Sequence, residues 1–173
     1  KMIVVDPRRT DTADMADLHL AIQPGTDVML FHGMLHIMLA QGWTQPDYIA
    51  AHTSGFEALQ ALVAEHTPEQ VAQICGVSVA DLHTAARWFA GVPDQLTASG
   101  AGARFGAGGI PLAQRRPTLS LYCQGLNQSH NGTAKKAALI NLHLATQQIG
   151  RPGAGPLSLT GQPNAMGGRE VGG

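Results

Sequence analysis

Two carboxylates stand where the patterning of this sequence changes, and each could accept hydrogen bonds from a bound molecule. Asp6 follows the apolar run 2–5 directly and precedes Pro7 and Arg8. A carboxylate at a strand end can accept from a ribose or a base, and arginines can pair with pyrophosphate. Asp27 follows Gly25-Thr26 before an apolar stretch, where its charge suits the positive end of a helix dipole. The residues alone favour simpler interpretations, an acidic turn and a helix cap.

Amide side chains mark a third position of interest. Gln124, Gly125, Asn127 and Gln128 follow the short apolar alternation of 117–122. Amides offer donors and acceptors without adding charge, and a glycine lets the backbone approach a ligand closely. Taken locally, an ordinary amide-rich turn explains the same residues.

The elements that would position these groups alternate between strand and helix. Met2–Val5 and Leu18–Ile22 read as strands, and Asp27–Gln41 as a buried helix capped by Thr26 or Asp27. Strand character returns at Pro117–Tyr122. This order predicts an α/β fold, a three-layer, Rossmann-like and mostly parallel sheet flanked by helices, with a long C-terminal coil. Such sheets bind ligands beyond the carboxyl ends of their strands, where Asp6 and Gln124 fall.

Helix starts and one helix face can be read from spacing. Ser54 with Glu57, and Thr67 with Gln70, match capping boxes, and Ser78 with Asp81 is a weaker version. The last helix is predicted over 133–148. Its buried stripe is Ala138, Leu142, Ala145 and Ile149, with Lys135, Lys136, His143 and Gln147 facing outward.

Two segments lack periodicity. Residues 93–116 include a glycine- and alanine-rich stretch with the composition of a flexible insertion. Residues 150–173 are rich in Gly, Pro, Asn and Gln and are predicted to form an extended loop that touches a ligand, because loops this long are seldom ordered without one. The whole chain, 1–173, is interpreted as a single α/β cofactor-binding domain cut from a larger enzyme.

Composition excludes several function classes. The 173 residues carry a net charge of −1 and no basic run, so nucleic-acid binding is not expected. The longest apolar run, Val28–Ala40, is interrupted by His32, Gly33 and His36, so no membrane span is expected. The i,i+4 pair His32 and His36 lacks a third ligand and is read as packing histidines, so no metal site is predicted. The two cysteines, 48 positions apart, predict free thiols, which fits a cytoplasmic location.

These residues, in this order, closely resemble the molybdopterin-dependent nitrate reductases, especially the assimilatory type. The resemblance is carried by four segments: Asp6-Pro7-Arg8, Gly25-Thr26-Asp27, 124–128 and 158–170. It implies that the following residues contact a guanine dinucleotide cofactor: Asp6, Pro7, Arg8, Gly25, Thr26, Asp27, Gln124, Gly125, Asn127 and Gln128. It also implies that Arg169 attracts nitrate, that Glu170 holds Arg169, and that Thr160 and Gln162 line the funnel. Without the resemblance, Arg169-Glu170 would read as a surface ion pair.

The resemblance also sets the expected chemistry. It implies a parent enzyme that reduces nitrate to nitrite with molybdenum bound by two molybdopterin guanine dinucleotides. An iron–sulfur cluster, whose ligands are not in this chain, would bring electrons from a donor protein or domain. The chain would act together with the remaining domains of the parent and would be inactive alone. The alternatives are a fragment of another molybdopterin oxidoreductase, such as a formate dehydrogenase, and a non-catalytic nucleotide-binding domain.

Overall fold

The computed structural model describes residues 1–93, 109–162 and 164–172. These residues form four short strands, Ile3–Val5 (β1), Leu18–Leu20 (β2), Leu119–Tyr122 (β3) and Gly155–Ser158 (β4). The helices are Asp11–Asp14 (α1), Asp27–Ala40 (α2), Pro46–His52 (α3), Phe56–Ala64 (α4), Pro68–Cys75 (α5), Val79–Phe89 (α6), Gln124–Asn127 (α7), Gly132–Ala145 (α8) and Ala165–Glu170 (α9). The predicted α/β class, with parallel strands flanked by helices, is confirmed.

The strands form two parallel pairs in the described part of the chain. In the first pair Ile3 lies opposite Leu18, and in the second Leu119 lies opposite Gly155. The sequence predicted one sheet, whereas β1 and β3 are not hydrogen-bonded to each other. β4 arises within 150–173, the segment predicted as an extended loop, and that segment also contains α9.

The core is built around α2, as its apolar residues on every face predict. Leu30, Ile37 and Met38 are fully or almost fully buried, and α2 packs against α4, α5, α6 and α8. Gly33 permits the crossing with α5, because a Cβ at this position would lie 2.5 Å from Val71 Cγ1. Helix α2 also contacts α6 and α8, which in turn contact β2 and β4.

Of the three caps predicted from capping-box spacing, two are confirmed at the hydroxyl. The Thr67 hydroxyl accepts from the backbone N–H of Gln70, and the Ser78 hydroxyl accepts from that of Asp81. The predicted Ser54 cap is wrong. The N-cap of α4 is instead Gly55, whose φ of +72° turns the chain into the helix without a side-chain bond.

Helix α8 ends at Ala145 rather than at 148, so Ile149 lies beyond it and is only partly buried. The helix also departs from its predicted outward face at Lys135 and at His143. Ala138, Leu142 and Ala145 are buried as expected, but His143 is fully buried rather than outward. The ring faces β3, where Nε2 lies 2.9 Å from Ser120 Oγ, and Nδ1 lies 2.7 Å from the carbonyl oxygen of Gln148. A polar partner on both sides of the ring allows a residue that patterning assigns to solvent to enter the core.

The predicted flexible insertion is only partly within the described residues, since 94–108 lie outside them. At its far end Ile110 is fully buried, and Arg115 is 2% exposed. The Arg115 guanidinium donates to the carbonyl oxygens of Trp43 and Ala90, at 2.9 and 2.5 Å. Residues 109–116 therefore pack against the helical core.

Candidate functional site

The ends of all four strands lead to one side of the molecule, here called the carboxyl edge. It comprises residues 6–8, 25–27 and 124–128, which follow β1, β2 and β3, and residues 158–162, which begin at the last residue of β4. Asp6 N–H donates to the carbonyl of Leu20 at the end of β2. Across the two strand pairs, Lys135 of α8 binds Asp27 of α2, so the helices that follow β2 and β3 begin side by side. The edge thus unites most positions that the sequence singled out.

Asp6 uses part of its hydrogen-bonding capacity within its own turn. Its Oδ1 accepts from the backbone N–H of Arg8 at 2.7 Å, and its carbonyl oxygen accepts from His19 Nε2 at 2.8 Å. Pro7 and Arg8 are exposed. This turn holds the carboxylate in place and leaves the guanidinium accessible to an anionic ligand.

Gly25–Asp27 form the turn between β2 and α2. Gly25 has a φ of +88°, and nothing lies within 4 Å of where its Cβ would be. The Thr26 hydroxyl donates to the carbonyl of Gln23, so the predicted side-chain cap of α2 is absent. Asp27 occupies the first turn of the helix, where the dipole favours its negative charge.

Asp27 has a partner that the sequence did not indicate. Lys135 Nζ lies 2.7 Å from Asp27 Oδ2, with exposed side-chain fractions of 15% and 22%. The sequence interpretation assigned Lys135 to an outward face, and nothing in local spacing connects residues 108 positions apart. In the described part of the chain Oδ1 of Asp27 makes no hydrogen bond, so one acceptor remains for a ligand.

The segment 124–128 forms helix α7 and the residue that follows it, rather than an irregular turn. Gln124, Gly125 and Gln128 are exposed, and nothing lies within 4 Å of a Cβ built on Gly125. Asn127 is used differently, since its Nδ2 donates to Ser158 Oγ at 3.0 Å. The amide of Asn127 therefore ties the end of β3 to that of β4, while the two glutamines face solvent.

A polar cavity of about 520 Å³ adjoins α7 and was missed by the sequence analysis. It is lined by Asn127, Ser129, His130, Asn131 and Thr133, among others. Gly132 is required beside it, because a Cβ would lie 2.7 Å from the carbonyl oxygens of Leu126 and Asn127. A signal was available in 129–133, where hydroxyl, imidazole and amide groups cluster before a helix.

The last group of predicted residues is placed only in part. Thr160 and Gln162 are exposed, and the Thr160 hydroxyl lies 3.4 Å from the carbonyl oxygen of Gln162. Glu170 is exposed at the end of α9. The side chain of Arg169 lies outside what the structure describes, so its predicted pairing with Glu170 stays a prediction.

Beneath Asp27 lies Cys75, a free and fully buried thiol, as predicted. Its Sγ is 3.8 Å from the carbonyl oxygen of Thr26. Burial raises the pKa of this thiol, and the charge of Asp27 raises it further. The neutral form therefore dominates at pH 7, which makes Cys75 a packing residue rather than a nucleophile.

Two findings concern the described residues as a whole. Within 1–93, 109–162 and 164–172, no group of three or more His, Cys, Asp or Glu side chains could hold a metal ion. In the same ranges no helix is both long and apolar enough to cross a membrane.

With this geometry in view, comparison defines the class of protein. The family model described as molybdopterin oxidoreductase matches residues 1–173, and the chain belongs to that family. A solved structure of acetylene hydratase from Pelobacter acetylenicus matches the fold with a TM-score of 0.66 and 27% identity, covering 88% of this chain and 18% of that one.

Individual relatives within this family differ in how similar they are to the chain. The nitrate reductase of Synechocystis sp. is 46% identical over the whole chain, which covers 21% of that protein. The periplasmic nitrate reductase of Desulfovibrio desulfuricans is 37% identical, also over the whole chain and 21% of its own length. The alpha subunit of an F420-dependent formate dehydrogenase from Methanocaldococcus jannaschii is more distant, at 32% over 99% of this chain and 22% of its own. The chain therefore spans about a fifth of the length of these relatives.

Proposed function

We propose that this chain is part of the catalytic subunit of a nitrate reductase, where it forms part of one molybdopterin guanine dinucleotide site and of the substrate funnel. The observation that carries the proposal is the grouping of acceptors, amides and open glycines at the carboxyl edge of a chain in the molybdopterin oxidoreductase family. Identity to nitrate reductases exceeds identity to the formate dehydrogenase, which favours nitrate as the substrate.

The residues of the edge fit a guanine-tailed cofactor. Oδ1 of Asp27 is open to the adjacent ring and exocyclic N–H groups of guanine, which suit a carboxylate acceptor. Lys135 holds the other oxygen and thereby fixes the orientation of the carboxylate. The exposed guanidinium of Arg8 suits a pyrophosphate, and the open faces of Gly25 and Gly125 would let a ligand approach the backbone.

The remaining polar residues are proposed to bind pterin and substrate. Gln124 and Gln128 present donors and acceptors that match the mixed edges of a pterin. Arg169 would attract and orient nitrate, a planar anion that suits a planar fork of donors, with Glu170, Gln162 and Thr160 around it. The molybdenum cofactor would supply the oxygen-atom and electron chemistry, and this chain binds and orients. An iron–sulfur cluster, an electron donor and the other domains of the parent complete the proposed enzyme.

A nucleotide titration tests the guanine site. We expect the chain to bind guanosine diphosphate more tightly than adenosine diphosphate, measured by calorimetry. Asp27→Asn should weaken the guanine nucleotide by about tenfold or more, since a charged acceptor of two N–H groups is lost. Asp47→Asn is the matched control, because Asp47 is an exposed carboxylate in the first turn of α3. Equal loss in both variants, or no preference between the nucleotides, contradicts the site.

A turnover assay on the full-length parent tests the substrate. With reduced viologen as electron source, nitrate should be reduced and formate should not be oxidised. Arg169→Lys should raise KM for nitrate by about tenfold, because lysine lacks the planar fork. The chain expressed alone should show no turnover. Formate oxidation by the parent would instead favour the formate dehydrogenase alternative, and absence of both would favour a non-catalytic nucleotide-binding role.

The cellular location is proposed from the cysteines and the resemblance together. We propose the cytoplasm, on the basis of free cysteines and resemblance to the assimilatory type. One relative is named as periplasmic, so fractionation of the source cells with a periplasmic marker is the deciding measurement.

A further inference from the structure

The ammonium of Lys135 lies at a place that is unfavourable for a positive charge. Lys135 is the fourth residue of α8 and therefore belongs to the first turn of that helix. Its Nζ also lies 2.7 Å from Asp27, the first residue of α2. The N-terminal ends of both helices carry positive partial charge, which disfavours a cation there and favours an acceptor oxygen. Local arrangements that cost stability in this way are expected at functional positions.

Part of the hydrogen-bonding capacity of Lys135 is unused. An ammonium group has three N–H donors, and one of them binds Oδ2 of Asp27. Among residues 1–93, 109–162 and 164–172, no second acceptor contacts Nζ. The side chain is only 15% exposed, so bulk water reaches little of it. The remaining donors are therefore available to a ligand that binds beside Asp27.

The ion pair places three polar atoms in a fixed order. Because Lys135 binds Oδ2 of Asp27 rather than Oδ1, the order along the pair is the donor Nζ, the acceptor Oδ2 and the acceptor Oδ1. Each carboxylate oxygen has two lone pairs, so Oδ2 can accept from a ligand while it binds the lysine. The pair thus presents one donor followed by two acceptors.

Guanine presents the complementary order on one edge of its ring. The O6 acceptor, the N1–H donor and the N2 amino donor lie side by side. Adenine has an amino group in place of O6 and no hydrogen on N1. On this ion pair, adenine would oppose a donor to the ammonium and an acceptor to the carboxylate, and such mismatches weaken binding.

The turn before α2 leaves space for a base beside the pair. Nothing lies within 4 Å of a Cβ built on Gly25. The hydroxyl of Thr26 donates to the carbonyl of Gln23, so it is directed back into the turn rather than over the end of α2. A planar ring can therefore approach Asp27 from this side.

We propose that Lys135 is a specificity-determining residue, which donates to O6 of a guanine while Asp27 accepts from its N1–H and its N2 amino group. The inference rests on the proposed guanine dinucleotide site and adds a direct contact to it. If the lysine only held the carboxylate in place, its loss would weaken every ligand of Asp27 to the same degree. Contact with O6 predicts instead that its loss weakens ligands with a strong acceptor at that position most.

Calorimetry on the full-length polypeptide, prepared without cofactor, separates these two roles. The probes are guanosine diphosphate and 6-thioguanosine diphosphate, which keeps both N–H groups and carries sulfur, a weak acceptor, in place of O6. The binding component that Asp27→Asn weakens reports this site. At that component the wild-type protein should bind the oxygen compound about fivefold more tightly or better. Equal affinity for the two compounds overturns the proposal without any variant of Lys135.

The variants assign that preference to Lys135. Lys135→Met should weaken guanosine diphosphate by about tenfold and reduce the preference over the thio compound to less than about twofold. Asp27→Asn should weaken both compounds and keep the preference, and Lys136→Met should change neither. A preference that Lys135→Met retains in full overturns the contact with O6 and leaves the guanine site intact. If no guanine binding depends on Asp27, the proposed site and this inference are both overturned.

A density map of the cofactor-loaded enzyme gives the direct check. The expected result is Nζ of Lys135 at about 3 Å from O6 of the guanine. An Nζ that contacts only Asp27, or that binds a phosphate oxygen, overturns the proposal.

Discussion

The ammonium of Lys135 lies 2.7 Å from Oδ2 of Asp27 and so joins the first turns of α8 and α2. With exposed fractions of 15% and 22%, the two side chains are largely shielded from water. Water therefore screens this pair less than an exposed one, and loss of one partner leaves a poorly solvated charge. The pair links the part of the carboxyl edge formed by the first two strands to the part formed by the last two.

The first prediction concerns that link. Lys135→Met should lower the free energy of unfolding by about 2 kcal/mol, because Asp27 keeps its charge and loses its partner. Lys136→Met is the matched control, since in the described residues Lys136 makes no ion pair, and its effect should stay within about 0.5 kcal/mol. Urea unfolding measures both. Equal losses for the two variants would show that the ion pair does not stabilise the fold.

A double-mutant cycle isolates the pairwise energy. Asp27→Asn and Lys135→Met, alone and together, should give a coupling of about 1 kcal/mol or more. Purely additive losses would mean that each side chain acts through other neighbours.

Much of the fold could be predicted because it depends on local patterning. The apolar residues on every face of α2 predicted a buried helix, and the spacing from Thr67 to Gln70 predicted a cap, since both signals lie within a few residues. The strands of 2–5 and 117–122 were predicted for the same reason. Strand β4 was missed because Gly155 and Pro156 open it, and both residues are rare in strands.

The candidate site shows the converse. Its positions could be predicted from the rule that ligands bind at the carboxyl ends of parallel strands. The bond between Asp27 and Lys135 could not, because it spans 108 positions and depends on how two helices cross. The separation of β1 from β3 was equally hidden, since no local pattern reports which strands pair with each other.

The second prediction follows from the burial of His143. Its Nδ1–H donates to the carbonyl of Gln148, and Nε2 accepts from the Ser120 hydroxyl, so the neutral ring is fully satisfied. Burial lowers the pKa of His143 from 6.5 to about 4. Between pH 6.5 and 4 the unfolded chain binds a proton at this histidine and the folded chain does not. The free energy of unfolding therefore falls as the pH falls. The loss should reach about 3 kcal/mol and then level off below pH 4.

A variant series attributes that loss to His143. His143→Leu should flatten the dependence of the unfolding free energy between pH 6.5 and 4, although at neutral pH it leaves Ser120 without its partner. Some dependence on pH should remain in that variant, because the pKa of His32 is also lowered, by burial and then by the charge of His66. A profile for His143→Leu as steep as the wild type would assign the titration to another group.

The third prediction concerns the buried guanidinium of Arg115. Burial lowers its pKa to about 10, so the group stays charged at neutral pH. It donates to the carbonyl oxygens of Trp43 and Ala90, which lie just beyond the ends of α2 and α6. Arg115→Leu should cost about 3 kcal/mol or more, because buried carbonyls lose their donors. Arg8→Leu, which removes an exposed guanidinium, should cost less than about 0.5 kcal/mol in the same thermal or urea melt.

The last prediction uses two glycines with the same backbone conformation and different surroundings. Gly91 has a φ of +69°, and a Cβ there would lie 2.1 Å from the carbonyl oxygen of Arg116. Gly55 has a φ of +72°, with nothing within 4 Å of that position. Gly55→Ala should therefore cost only the left-handed backbone penalty of about 1 kcal/mol. Gly91→Ala adds a clash with backbone that cannot swing aside, so it should cost about 3 kcal/mol or more. If the two variants have equal unfolding free energies, the chain after α6 can shift to relieve the clash. The packing of 109–116 on the core would then be looser than the contacts of Arg115 imply.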